Sequence, residues 1–90
     1  MSEKFNHQID VSRLKIAGLK NLLEIEESYL DPNRKSYPTY DDEILYYVAV
    51  LEDGRTVKVA YQYYLDGIIT LDVVRPTKAE LFDEYFIFLR

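Results

Sequence analysis

Ninety residues suffice for one small domain and are too few for two; with 48% of them apolar the chain can build a core, which excludes wholesale disorder. Sixteen Asp and Glu against eleven Lys and Arg leave a formal charge of −5, which argues against coating duplex nucleic acid or anionic lipid. The absence of cysteine excludes disulfides, thiolate metal sites and thiol chemistry.

Residues 1–8 are mostly polar, carry the single histidine (His7), and read as a loose tail. From Val11 to Leu30, Val11, Leu14, Leu22, Ile25 and Tyr29 share one arc of a helical wheel, with Ile16, Leu19, Leu23 and Leu30 beside them. The spacing predicts an amphipathic helix over about 12–30, opened by Asp10 or Ser12 and stopped at Asp31-Pro32. Two features of the wheel oppose a single helix: Lys15 and Glu26 fall within the apolar arc, and basic residues come early while Glu24, Glu26 and Glu27 come late, against the macrodipole. In addition, Leu23-Glu24-Ile25-Glu26 alternates as an edge strand would, which leaves 22–30 open between helix and strand. A break between Gly18 and Asn21 is the competing reading.

Residues 31–43 hold two prolines among polar neighbours and read as a surface loop. Asp53-Gly54 suits a two-residue type I′ turn, which would pair Val50 with Val57, Val48 with Val59, Tyr46 with Tyr61 and Ile44 with Tyr63. For the turn at Leu65-Asp66-Gly67, a three-residue loop pairs Tyr63 with Ile69, Tyr61 with Leu71 and Val59 with Val73, and keeps Asp72 off the apolar face. The result is a three-stranded antiparallel meander (about 44–52, 55–64 and 68–75) whose core face holds residues 44, 46, 48, 50, 57, 59, 61, 63, 69, 71 and 73. After Pro76, Thr77 and Glu80 form a capping box opening a helix over about 77–89, with a strand from Tyr85 as the rival. The expected fold class is α+β: a two-layer single domain, 1–90, with both helices on one face of the meander.

The chain is poor in catalytic groups. The lone His7 lies in the expected tail, no serine occupies a nucleophile elbow, and the three glycines fall in turns or a helix, leaving no phosphate-cradling loop. Ser12 and Lys15 match an S-x-x-K spacing without its companion motifs. The acidic groups Asp41-Asp42-Glu43 and Glu24/Glu26/Glu27 lack the spacing of a calcium loop. The expectation is a non-enzymatic protein with no cofactor and no metal.

Charge and tyrosine are unevenly placed. Residues 24–53 hold nine carboxylates against Arg34 and Lys35, a net −7, whereas residues 1–23 carry +2 and residues 54–90 balance. Tyr37 and Tyr40 lie in the loop beside Asp41, Asp42 and Glu43. Rigid aromatic rings next to carboxylates suit recognition of a protein with a basic surface. The expected function is therefore that of a small acidic interaction protein that binds and modulates or inhibits such a partner, in the manner of an inhibitor, immunity protein, antitoxin or phage-encoded modulator. Its expected contact residues are Tyr37, Tyr40, Asp41, Asp42 and Glu43, with Glu24 and Glu27 on the helix.

The alternative is a self-associating structural domain using the second sheet face (Leu45, Tyr47, Leu51, Tyr64, Ile68) or the aromatic C-terminus (Phe82, Phe86, Ile87, Phe88, Leu89). Stacking of single-stranded bases on Tyr47 and Tyr64 is a weaker third reading, since Lys58 alone supplies positive charge near them. The longest apolar runs fall far short of the roughly 20 residues of a membrane span, and no signal-like segment opens the chain. A cytoplasmic protein is expected.

Overall fold

A computed structural model describes residues 4–37, 44–65, 67–81 and 87–88. In chain order the elements are β1 (Lys4–His7), α1 (Val11–Ala17), α2 (Leu23–Tyr29), β2 (Lys35–Tyr37), β3 (Leu45–Val50), β4 (Thr56–Tyr64), β5 (Gly67–Val74), α3 (Lys78–Leu81) and β6 (Ile87–Phe88). The strands form one mixed sheet in the order β1-β5-β4-β3-β2-β6. The α+β class agrees with the sequence; the sheet is wider than the expected meander. β1 adds a parallel edge strand beside β5, while β2 and β6 extend the other side.

Lys4–His7 of the expected tail are thus part of the sheet. Phe5, His7 and Ile9 alternate, with Phe5 opposite Ile68 and His7 opposite Thr70, and this brings Phe5 against the core and buries Ile9.

The expected helix over 12–30 is two helices, broken where the competing reading placed the break. Gly18 takes a left-handed conformation at φ 79°. Its N–H bonds the Lys15 carbonyl at 3.0 Å while Leu19 N–H reaches the Leu14 carbonyl at 2.8 Å, a Schellman closure that only a residue tolerating positive φ completes cheaply. Asp10 caps α1 by accepting from Ser12 N–H at 3.0 Å. The break removes both conflicts seen in the single wheel. Lys15 becomes an exposed cation in the last turn of α1, and Glu24 and Glu26 enter the first turn of α2, where the macrodipole favours them.

The hairpin between β3 and β4 corrects the expected register by one residue. Tyr47 pairs with Val59, Ala49 with Val57 and Leu45 with Tyr61. The turn is a three-residue loop, Glu52 to Gly54: Gly54 N–H donates to the Leu51 carbonyl at 2.9 Å, Leu51 N–H to the Arg55 carbonyl at 2.8 Å, and Gly54 alone takes positive φ, at 92°. The inward residues of β3 are therefore Tyr47 and Ala49, followed by Leu51, instead of 44, 46, 48 and 50. Beyond this loop, Val59 pairs with Val73 as expected, but an extra residue at Leu71 shifts the remainder so that Tyr61 faces Thr70 and Tyr63 faces Ile68. Ile68 and Thr70 are consequently buried where 69 and 71 were expected.

The core combines Leu14, Ala17, Leu19 and Ile25 from the helical side with Tyr47, Val57, Val59, Tyr61, Ile68 and Val73 from the sheet. The C-terminal helix is shorter than expected and covers the other face. Thr77 and Glu80 form the expected capping box, with Thr77 N–H donating to Glu80 at 2.8 Å and Glu80 N–H to the Thr77 hydroxyl at 3.2 Å. Glu80 meets Lys58 at 2.7 Å, and Lys35 Nζ reaches the Leu81 carbonyl at 3.1 Å. Lys58 and Lys35 both pair with Val48, so α3 lies over the face opposite α1 and α2. The rival C-terminal strand is present in short form as β6, antiparallel to β2. Among the described residues no helix is long and apolar enough to cross a membrane.

Candidate functional site

A cleft of about 230 Å³ is lined by Glu27, Leu30, Asp31, Pro32, Val50 and Glu52. It forms where the end of α2, the turn after it and the last residue of β3 converge. α2 begins a new helical phase after the break, which turns Leu23 and Leu30 outward at 69% and 76% exposure. Val50, next to the hairpin loop, is half exposed.

The carboxylates around this apolar patch have structural anchors. Asp31 accepts from Val50 N–H at 3.0 Å and Asn33 N–H at 2.9 Å, and Glu27 accepts from Glu52 N–H at 3.3 Å. Asp31 thus closes the edge of β3 just before β2 begins at Lys35, satisfying a backbone donor that would otherwise template another strand. Accepting an amide hydrogen does not neutralise a carboxylate, and each retains acceptor capacity. The Glu52 side chain makes no hydrogen bond or ion pair among the described residues. Among the described residues no cation lines the cleft. The arrangement offers apolar floor, negative rim and exposed access, which is chemistry for binding.

Of the expected contact residues, Glu27 lies on this rim. Glu24 does not: its carboxylate accepts from Arg55 Nη1 at 3.0 Å and from Lys20 N–H at 2.6 Å, and is also paired with Arg55 Nη2. These partners hold its carboxyl down to about 2. Tyr37 ends β2 opposite Tyr46; Tyr40, Asp41, Asp42 and Glu43 lie outside the described residues.

The face assigned to self-association is largely the core face. Tyr47, Leu51 and Ile68 are buried and Leu45 packs against them, leaving Tyr64 exposed. The one-residue change of register explains Leu45, Tyr47 and Leu51, and the extra residue at Leu71 explains Ile68. Burial of Tyr47 likewise removes half of the suggested base-stacking surface. Phe82, Phe86 and Leu89 lie outside the described residues, while Ile87 and Phe88 form β6.

Sequence reasoning missed His7. Its Nδ1 lies 2.7 Å from the Thr70 hydroxyl and its Nε2 2.8 Å from the Glu26 carboxylate. Hydroxyl, imidazole and carboxylate in line resemble a nucleophile with its base, but Thr70 is completely buried, so no substrate carbonyl reaches it. The cluster instead clamps edge strand β1 to α2 and β5. The alternation Phe5-Asn6-His7-Gln8-Ile9 was the available signal. Among the described residues no three His, Cys, Asp or Glu side chains come together to hold a metal ion.

An aromatic chain crosses the core from Phe5 through Tyr29, Tyr47 and Tyr61 to Tyr63, with successive ring centroids 5.5–5.9 Å apart. Burial pushes the Tyr47 and Tyr61 hydroxyls well above the ordinary phenol range, so both stay protonated. Comparison of the chain with family models, curated proteins and solved structures returned no match.

Proposed function

We propose that the chain is a small non-enzymatic interaction protein that modulates or inhibits a protein partner through a basic surface on that partner. The observation that carries the reading is the cleft in which exposed Leu30 and Val50 lie beneath Glu27, Asp31 and Glu52 with no cation among them. A lysine or arginine from a partner matches both parts: its apolar stem covers the leucine and valine, and its charged head meets the rim. Fully burying one such aliphatic side chain contributes about 1.5–3 kcal/mol, whereas association costs about 4–15 kcal/mol before any net affinity appears. The cleft therefore acts as an anchor within a larger contact. A standard interface takes about 800 Å² per partner, roughly an eighth of the 6199 Å² surface here. The rest of the acidic middle, with Tyr37, Tyr40, Asp41, Asp42 and Glu43, supplies the remaining contact and the long-range steering.

The test compares immobilised wild type with a Glu27→Gln, Leu30→Ser, Glu52→Gln variant, both exposed to host lysate at low salt. A basic protein retained by the wild type, released by 0.5 M salt and lost from the variant is the expected result. Identical retention by both columns contradicts the reading. Asp31 is left intact because it caps Val50.

Self-association remains a second reading on one observation: Tyr63, Tyr64 and Leu65 stand 61%, 59% and 93% exposed at the end of the β4–β5 hairpin. Sedimentation at micromolar concentration decides it. A wild-type monomer removes this reading, and a dimer dissociated by Leu65→Ser supports it.

A further inference from the structure

We propose that Arg34 is the anchor of a carboxylate-binding site beside the aromatic chain, separate from the acid-rimmed cleft. Arg34 follows the turn after α2 and stacks on Tyr29, its guanidinium carbon 4.3 Å from the ring centroid. Nη1 makes one long contact, 3.4 Å, to the Asp31 carbonyl. Nε is fully buried and bonds nothing. No carboxylate among the described residues pairs with this side chain.

The other described arginines show how unusual that is. Arg13 engages Asp72 through two nitrogens at 2.9 and 3.1 Å. Arg55 serves Glu24, Asp53 and the Gly18 carbonyl. Arg75 is exposed and donates to the Ile16 carbonyl. Among the described residues, Arg34 alone combines a buried unbonded donor with the lack of a paired carboxylate. A guanidinium cannot shed its proton to escape that cost. The face of Tyr29 offsets part of the charge but accepts none of the in-plane hydrogens.

What fits is an oxyanion in the guanidinium plane. Nε and the adjacent Nη present parallel donors that two oxygens of one carboxylate accept together. Arg34 as a whole is only half-buried, and a ligand reaches Nε only if the guanidinium shifts on the Tyr29 ring. The charge is also felt at the Tyr47 and Tyr61 hydroxyls, which places it toward the aromatic chain. A planar monoanion is favoured over dianionic phosphate because the chain is already at −5 and Asp31 lies close. The aromatic surroundings favour a carboxylate on an apolar or ring-bearing group, whether a free small acid or the terminus of a peptide.

The experiment titrates the full ¹⁵N-labelled chain with benzoate, acetate, a short peptide with a free C-terminus and inorganic phosphate, each at constant ionic strength. The readouts are the Arg34 Nε–Hε resonance and the Tyr29 ring signals. The expected result is a saturable shift with benzoate, at least tenfold weaker in Arg34→Lys, whose single ammonium cannot form the parallel pair. A stronger response to the peptide than to benzoate assigns the site to peptide termini; the reverse assigns it to small acids. Saturation by phosphate alone, or no saturable shift with any probe, overturns the proposal. A companion variant, Asp41→Asn, Asp42→Asn and Glu43→Gln, tests supply from within the chain: benzoate binding seen only in that variant also overturns it. The wild-type titration stands even where Arg34→Lys is destabilised.

Discussion

Tyr47→Ala is expected to lower the free energy of unfolding by about 3–5 kcal/mol, the range for deleting a buried aromatic side chain. A ninety-residue domain holds about 5–13 kcal/mol in total, so the variant is left close to the margin of folding. Tyr47 is 1% exposed. Its ring lies edge-on to Tyr29 and Tyr61, at 5.9 and 5.5 Å. Its hydroxyl lies 2.7 Å from that of Ser28, which itself donates to the Ile25 carbonyl at 2.6 Å. Truncation removes the middle ring of the chain and leaves a cavity flanked by phenols. Tyr47→Phe keeps the packing and gives up the hydroxyl's contacts to Ser28 and, at 3.3 Å, to the Ile25 carbonyl, at about 1 kcal/mol. Urea midpoints at unchanged m-value measure both effects. A Tyr47→Ala protein with the wild-type midpoint would return Tyr47 to the outside and restore the register of a two-residue turn at Asp53-Gly54.

That register decides most of what was and was not legible in the sequence. The hairpin, its turn residues and the identity of strands β3, β4 and β5 all follow from local chemistry. The choice of face does not. Residues 44–51 are apolar on both sides, because the sheet is covered twice: Val48 and Ala60 are buried beneath the α3 side just as Tyr47 and Val59 are beneath α1 and α2. Alternation carries no contrast in such a strand. Gly54 supports either turn, and only its partners reveal that Asp53 stays at negative φ while its carboxylate accepts from Arg55 N–H at 3.1 Å. The exclusion of Asp72 from the apolar face was sound, since it sits part-exposed against Arg13. The chain achieves this by inserting Leu71 rather than by the loop that was expected.

The site shows the same division. Glu27 could be placed outward from its spacing, but Leu30 is exposed only because α2 starts afresh at Leu23. The convergence of Val50 and Glu52 on α2 depends on the β3–β4 loop. Glu24 was misread for a plainer reason: its partner, Arg55, lies 31 positions away, beyond any local pattern. The concentration of charge at residues 24–53 was visible from composition, whereas its partition into structural anchors and open rim needed the fold.

Acid is expected to weaken the fold through that same Glu24. The hydrogen bond from Arg55 is the largest influence on its carboxyl, followed by the Lys20 N–H; together they hold it near 2 instead of 4.5. The folded protein therefore binds this proton less readily than the unfolded chain. The stabilisation is complete above pH 4.5 and is lost as the pH falls through 4.5 toward 2. In Glu24→Gln the charge is absent at every pH. That variant is expected to be about 1.5–3 kcal/mol less stable at pH 7, the range for hydrogen bonds to charged groups, and the gap to wild type should close on acidification. Asp10 and Glu80 are also held low, but they share no partner with Glu24 and cancel between the two proteins. Asp53 is held low by the same Arg55, so the difference reads the Glu24–Arg55–Asp53 cluster. Urea unfolding at pH 7, 4.5 and 2.5 measures it. A gap that stays constant across those values would assign the cost to altered packing instead of the ion pair. The pair is partly shielded, with side chains 13% and 29% exposed, so high salt should narrow the gap at pH 7 only in part. Because Arg55 also holds the Gly18 carbonyl at 2.9 Å, losing Glu24 loosens the joint between α1, α2 and the hairpin loop. Amide exchange at Gly18 and Leu19 in Glu24→Gln should therefore accelerate more than exchange at Val57 and Val59, which lie in the core of the sheet.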